Sequence, residues 1–345
     1  MIIGHKKQWQ FLKKSAELGK LPHGILFCGQ EQLGKKTLAV EWAKLLNCSS
    51  TRNSQKPCQR CRNCQDIQRG SHPDLILIEP NSEPQQTSRS APCNSIGIKQ
   101  IRDLIWKLSL RSYSAPFKIA ILDQAHLMTR EAQSSFLKLL EEPKGPAILI
   151  LITEYPETLL PTIISRVQKL RFFPVSKAEI ENYILSKGIL PEKAKYFTSL
   201  SLGRPGIVIN FLSDSLKLEN QKKLISDLIK IAKSDLSFRF QYAKERAGGN
   251  HVSDTSTDNL QDILNIWLGY FRSIFLFRLR QSKNIDEKNA CPIGPDLSGS
   301  FGENFNQYSL SRLAKIISLI QSTNFLVSTT NINRKLALEV LLMEL

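Results

Sequence analysis

The sequence predicts a parallel α/β core over the first half of the chain and an all-helical second half. Three observations carry this. Short, unbroken apolar runs alternate with amphipathic segments as far as Pro174, a glycine-rich loop joins the first run to a helix, and beyond Pro174 the pattern turns helical. Continuous apolar strands alternating with helices are the mark of a parallel sheet covered on both faces.

In chain order, Gly24–Cys28, Asp74–Ile78, Phe117–Leu122, Ala147–Ile152 and Gln168–Phe172 read as strands, with helices over 36–47, 97–110, 129–141 and about 156–164. Short helices begin near Lys177, Pro191 and Arg204, punctuated by Gly and Pro. Longer amphipathic stretches follow at 216–233, 257–281, 308–322 and 331–344, and the polar, Gly-rich span Ser282–Asn304 reads as a loop. Three domains result: 1–173, 174–213 and 214–345.

The composition, 345 residues with 41% hydrophobic and 23% charged, is that of a globular chain with room for two or three cores. No apolar run approaches the roughly 18 residues of a membrane span, and the N-terminus lacks the pattern of a secretory leader, so the expectation is a soluble, cytoplasmic protein without a membrane partner. A net charge of +16 fits a polyanionic partner and fits equally a solvated basic surface.

Gly29-Gln30-Glu31-Gln32-Leu33-Gly34-Lys35-Lys36-Thr37 follows a strand and opens a helix, which is the phosphate-loop pattern. Backbone N–H groups and the helix N-terminus present positive charge to phosphates, and Lys35 reaches the terminal ones. The next residue should carry a hydroxyl for magnesium, but it is Lys36. Thr37 lies about 100° further round the helix and is no direct substitute. A second apolar strand, Lys118–Leu122, ends in Asp123, suited to hold magnesium. Gln124, which follows, has no charge with which to activate water. Departures in two separate motifs predict compromised ATP binding and a weakened or absent ATPase.

Seven cysteines lie at 28, 48, 58, 61, 64, 93 and 291. Cys48, Cys58, Cys61 and Cys64 have the spacing C-x9-C-x2-C-x2-C. Two-residue gaps let thiolates converge on one ion, so a closed structural zinc site is favoured, with an iron–sulfur cluster or free thiols as alternatives. Cys28, Cys93 and Cys291 have no second ligand pattern. His126 reads as a helix-start residue.

Several motifs occur in one order: Leu21-Pro22-His23-Gly24-Ile25-Leu26-Phe27, Ile98-Lys99-Gln100-Ile101-Arg102, Met128-Thr129 through Phe136–Pro143, Leu160–Arg166 and Asn333–Glu339. On these the chain resembles the AAA+ clamp-loader family of bacterial DNA polymerase III over nearly its whole length. The resemblance implies a phosphate-loop NTPase core, a small helical lid (174–213) and a helical collar for oligomerisation (214–345). It also implies a hetero-pentamer with gamma/tau-type motor subunits and a delta subunit, loading a sliding clamp onto primed DNA. The cysteine arrangement matches that family's zinc module.

The two departures match a subunit that does not hydrolyse ATP and serves as a rigid partner for the motors. Gly29, Gly34, Lys35, Asp123 and Thr153, at the sensor-1 position, then mark a degenerate nucleotide site. In the sensor-2 region Gly206 stands where motor subunits have arginine, with Arg204 a displaced candidate. Ser165-Arg166-Val167 matches a Ser-Arg-Cys motif whose arginine enters the neighbouring subunit's nucleotide site; the structural alternative is a salt-bridge arginine at a helix end. Basic and aromatic residues from Trp267 to Arg280 read as an oligomerisation helix in preference to a nucleic-acid surface. The rival functions are an ATP-hydrolysing motor subunit and a stand-alone zinc-containing nucleic-acid-binding module.

Overall fold

The structure, a computed structural model, describes residues 2–50, 56–80, 95–143, 145–247, 260–281, 308–330 and 332–345. Five strands, β1 (Gly24–Cys28), β2 (Leu75–Ile78), β3 (Lys118–Leu122), β4 (Ala147–Thr153) and β5 (Gln168–Arg171), form one sheet in the order β2-β3-β4-β1-β5. Every pairing is parallel. The three inner strands are buried at every residue, which is why they read as solid apolar runs. The edge strand β5 is mostly exposed and carries Lys169 and Arg171, charges that discourage pairing with another chain.

Alternate residues feed two cores. Ile25, Phe27, Ile119, Ile121, Ile148 and Ile150 pack with Leu12 of α1 (Lys6–Glu17) and with Leu38 and Trp42 of α2 (Lys35–Asn47). Leu26, Ala120, Leu122, Leu149 and Leu151 face Ile101 and Leu104 of α4 (Ile98–Ser109) and Phe136 of α5 (Arg130–Glu141). The register pairs Cys28 with Thr153, Leu151 with Leu122, and Ile78 with Leu122, so the carboxyl ends of four strands lie side by side. Loops leaving those ends are where parallel α/β sheets gather ligands.

Polar anchors hold the opposite end. The Asp74 carboxylate accepts from the N–H groups of Tyr113, Ser114 and Ala115 at 2.8–3.0 Å. Burial pushes its pKa up, but those three N–H groups and nearby His72 leave it below the usual range. Asn47, also buried, bonds Phe117 in both directions, at 3.0 and 3.2 Å. Both fix the loop that delivers β3 to the sheet.

The helix expected over 156–164 is instead a 3-10 turn at Pro156–Thr158 followed by α6 (Pro161–Arg166). Proline disfavours helical backbone in the residue before it yet suits a first helical position, so Pro161 resets the start. Buried Gln133 closes the gap, its side chain accepting from Leu160 N (2.8 Å) and donating to Met128 O (3.2 Å). Two helices that the periodicity did not indicate, α1 and α3 (Arg62–Arg69), also belong to this core.

The chain divides into two compact units, Met1–Ile180 with Gly203–Gly206, and Glu181–Leu202 with Ile207–Leu345. The remaining helices are α7 (Lys177–Ser186), α8 (Pro191–Ser201), α9 (Pro205–Ser213), α10 (Ser215–Lys233), α11 (Leu236–Ala247), α12 (Leu260–Gln281), α13 (Leu310–Thr329) and α14 (Arg334–Glu344). In the second unit Trp267, Tyr270, Phe271 and Ile274 of α12 are buried with Leu313, Ile316 and Ile320 of α13 and Leu338, Leu341 and Leu342 of α14. Trp267, Tyr270 and Phe271 of α12 are therefore core residues, and Phe275 and Phe277 pack half-buried against the same core. Arg239 of α11, a helix the sequence reading did not separate, donates to Ile231 O, Ala232 O and Ser234 O and reaches Leu342 O at 2.9 Å, capping α10 and tying it to α14. Cys93, Cys291 and the Ser282–Asn304 span lie outside the described residues. Among the described residues no helix is long and apolar enough to cross a membrane.

Candidate functional site

The glycine-rich loop leaves β1 at Gly29 and enters α2 at Gly34, the residue before Lys35. Gly29 is dictated by space, since a Cβ there would sit 2.6 Å from Phe172 O. Lys35 is buried, and its ammonium turns back on the loop, donating to the carbonyls of Gly29 and Gln30, the latter at 2.8 Å. Burial lowers its pKa, and the negative charges of Glu154, Glu31 and Asp123 partly offset this.

Lys36 engages two carboxylates. Its ammonium hydrogen-bonds Glu79, just beyond β2, and lies 3.4 Å from Asp123 Oδ2 at the end of β3. Gln124 stands in left-handed backbone (φ 50°), its N–H on Asp123 Oδ1 at 3.0 Å. Thr153, ending β4, is buried; its hydroxyl accepts from Tyr155 N at 3.1 Å and lies 3.4 Å from His126 Nδ1. Gly29, Gly34, Lys35, Asp123 and Thr153 thus gather at the carboxyl edge of the sheet, where the register puts the ends of β1, β3 and β4 together.

Three residues here were not assigned to the site by the sequence reading, which took His126 only as a helix-start residue. His126 is buried against Thr153 and edge-on to Tyr155, with ring centroids 5.3 Å apart; burial, aided by the charge of Lys35, pulls its pKa down to about 4. Glu154 follows Thr153, and burial together with Glu31 pushes its carboxyl up to about 7 against the pull of Lys35 and Arg204. Glu79 is the third. Glu154 and Glu79 each follow an apolar strand directly, which is a local signal, but nothing in the sequence marks the meeting of Glu79 with Lys36 from 43 positions away.

The Gly203–Gly206 segment closes on the same loop. Gly206 N donates to Gln32 O at 2.9 Å, and a Cβ on Gly206 would lie 2.8 Å from that oxygen. No side chain fits at 206 without moving the loop. The positive charge of Arg204, in the same segment, works to lower the pKa of Glu154.

Arg166 ends α6. It pairs with Glu141 at 2.8 Å and donates to Thr162 O at 3.1 Å, with the Arg166 and Glu141 side chains 40% and 49% exposed. An ion pair so exposed contributes about 0–1 kcal/mol, little enough to be exchanged for a stronger partner.

At the other end of α2, Cys48, Cys58, Cys61 and Cys64 bring four Sγ atoms within 4.8 Å of one another. Four sulfurs about 2.3 Å from one tetrahedral ion stand roughly 3.8 Å apart, so the cluster needs only a small contraction. Backbone N–H groups already point at the sulfurs: Cys58 N at Cys48 Sγ (3.5 Å), Cys61 N at Cys58 Sγ (3.3 Å) and Cys64 N at Cys61 Sγ (3.4 Å). N–H groups of Arg60 and Cys61 bring the Cys58 thiol down to about 6, whereas burial drives Cys64 up. Lys44 of α2, almost wholly buried, bonds Glu41 (2.6 Å) and Gln59 (3.0 Å), and Gln59 returns a bond to Glu41 (2.8 Å). This closed triad fastens the cysteine loop to the helix. Four converging thiols with donated N–H bonds fit a bound metal ion.

On α14 of the helical unit, Leu336, Val340 and Met343 are 59%, 50% and 61% exposed. Their i, i+4, i+7 spacing makes one apolar stripe on the face away from the buried Leu338, Leu341 and Leu342.

Residues 4–176 match a family described as DNA polymerase III, delta subunit. The chain is 32% identical to DNA polymerase III subunit delta' of Bacillus subtilis over 65% of this chain and 62% of that protein. It is 34% identical to the delta' subunit of Pseudomonas aeruginosa over 46% of each. To the tau subunit of Salmonella typhimurium it is 28% identical over 64% of this chain and 32% of that one. The chain thus spans less than two thirds of the length of each of these relatives. Among solved structures, a gamma subunit-related protein of Thermotoga maritima aligns with 97% of both chains at 19% identity and a TM-score of 0.44.

Proposed function

The chain belongs to the DNA polymerase III delta-subunit family, and on that premise we propose that it is a delta-prime-type subunit of a clamp loader that does not hydrolyse ATP itself. Its core, with an AAA+ arrangement of phosphate loop and strand-end acid, serves as a fixed partner for motor subunits of the gamma/tau kind and a delta subunit in a hetero-pentamer. That assembly places a sliding clamp on primer-template DNA in the cytoplasm. The observation that carries this reading is the pair Lys36 and Gln124: an ammonium where a magnesium-binding hydroxyl belongs, and an amide where a water-activating carboxylate belongs.

The chemistry we assign to the chain is performed in trans. Arg166 offers a guanidinium at the end of α6, held by a half-exposed pair with Glu141 and one bond to Thr162 O. A neighbour's nucleotide phosphates, with more charge and two oxygens in the plane of the fork, displace that carboxylate; the arginine then stabilises charge that develops as the phosphate bond breaks. Gly29, Gly34, Lys35, Asp123 and Thr153 are the remains of the chain's own nucleotide site. We assign Cys48, Cys58, Cys61 and Cys64 a structural zinc, since four sulfur ligands leave no open position for water. Residues 1–173 act as the core, 174–213 as a lid and 214–345 as a collar, where the apolar stripe Leu336–Val340–Met343 suits burial against another subunit.

The test is ATP turnover and clamp loading, measured first with the chain alone and then with the motor and delta subunits. The chain alone is inert, and its addition completes an active loader. Arg166→Ala leaves assembly intact and lowers turnover of the complex severalfold; undiminished turnover in an assembled ring removes the arginine's role. Turnover by the isolated chain favours a motor subunit instead, and zinc-dependent DNA binding without partners favours a stand-alone module.

A further inference from the structure

Lys36 makes an arrangement that the loop motif does not require. Two carboxylates from separate strands, Glu79 beyond β2 and Asp123 at the end of β3, converge on one ammonium. Carboxylates at the carboxyl ends of neighbouring strands are hard oxygen donors of the kind that hold magnesium. Here the charge between them is supplied by the chain, from the first turn of α2.

The rest of the loop is satisfied in the same internal way. Lys35 is taken up by the carbonyls of Gly29 and Gln30, and Gln32 O by the N–H of Gly206. Partial burial of Lys36 works to lower its pKa, but the bond to Glu79 and the charge of Asp123 raise it above the ordinary lysine value. The ammonium therefore stays charged throughout the pH range in which the protein works.

We propose that Lys36 is a tethered cation. It takes the divalent ion's place between Glu79 and Asp123, bars magnesium from the site, and bridges α2, β2 and β3 with no nucleotide needed. A divalent ion at the same carboxylates would meet a like charge tethered to α2, with both oxygen donors already engaged. The Lys36 and Glu79 side chains are 43% and 50% exposed, so the barrier comes from the tether's high local concentration of charge and not from a locked ion pair. This deepens the reading of a non-hydrolysing subunit and rests on that reading for what the loop once bound. It adds that the site is not merely eroded: its charges are rewired to one another.

The experiment uses the full chain without nucleotide and Mn²⁺ alone as probe, read by electron paramagnetic resonance and by the shift of the melting midpoint. Manganese prefers oxygen donors and so does not report on the cysteine cluster. Wild type gives no saturable binding at this site. Lys36→Met, which leaves the two carboxylates facing each other, gains Mn²⁺ affinity of about tenfold or more and a metal-dependent rise in melting midpoint, and adding Asp123→Asn removes both. Lys36→Thr carries the same test should the methionine variant fail to fold. Wild type binding Mn²⁺ as tightly as either variant overturns the proposal, as does a folded variant that gains nothing. The outcome is separable from the clamp-loader role: a chain that completes an active loader and still binds Mn²⁺ sinks the tethered cation alone.

Discussion

The two ends of α2 make an instructive pair. At its C-terminus four cysteines converge with their sulfurs within 4.8 Å, backbone N–H groups aimed at them and the Lys44–Glu41–Gln59 triad locking their loop in place. At its N-terminus the glycine-loop backbone is intact, but its cations are turned inward, Lys35 onto carbonyls and Lys36 onto Glu79 and Asp123. One end has kept its ligand atoms pointed at a common centre. The other has kept the geometry of a ligand site while its charges neutralise one another. Motif spacing reports the first kind of fact, and only side-chain partners report the second.

The largest effect expected from breaking this contrast is at the cysteine end. Cys58→Ser together with Cys61→Ser removes bound metal, read as the loss of one zinc per chain by elemental analysis, and lowers unfolding free energy by more than about 4 kcal/mol. Undisturbed stability would mean that the four sulfurs hold nothing together.

Next comes Glu154 at the other end. Its folded pKa of about 7 lies above its ordinary 4.5, so the folded state holds a proton that the unfolded state releases. Stability from that proton is fully present below about pH 4.5 and is lost as pH rises to about 7. Glu154→Gln keeps the neutral form: it matches wild type at pH 4.5 and exceeds it by up to about 3 kcal/mol at pH 8, in urea melts at the two values. His126 works the opposite way. With a folded pKa near 4 against 6.5, it costs stability as pH falls through that interval. The two windows overlap between about pH 4.5 and 6.5, where their opposite slopes cancel and leave a plateau, with losses above it from Glu154 and below it from His126.

Gly206→Ala is expected to cost about 1–3 kcal/mol by pressing a methyl against Gln32, measured by thermal melting. The smallest effect belongs to Arg166→Ala. Its half-exposed bridge to Glu141 is worth no more than about 1 kcal/mol, so the isolated variant melts almost as wild type does. A large drop would assign that arginine to the fold.

The buried strands β1, β3 and β4 were legible because solvent-free strands must be apolar at every position, and glycine or proline bounds them. The cysteine cluster was legible because its spacing is local. The helix over 156–164 failed at Pro161, where backbone sterics override apolar periodicity. Helix α1 was missed although Trp9, Leu12 and Ala16 place one apolar face on the core; its many lysines mask that sparse stripe. At the site, Lys36 and Gln124 announced themselves by departing from a motif. Glu79 and Glu154 carried only the faint signal of an acid after an apolar strand, and the Gly206–Gln32 contact carried none, because their partners depend on which segments the fold brings together. Long-range partners of that kind are set by topology and leave no mark in a window of sequence.

The cysteine geometry also governs how the protein must be handled. Sulfurs gathered this closely are neighbours for oxidation as much as for coordination once nothing holds them apart. Cys58, whose thiol is brought down to about 6, supplies the thiolate that starts such exchange at neutral pH. Chelator added in air therefore turns a reversible removal into a covalent scar, whereas chelator added with a thiol reductant leaves a chain that can be refilled. The order in which the two reagents meet the protein decides whether its history can be undone.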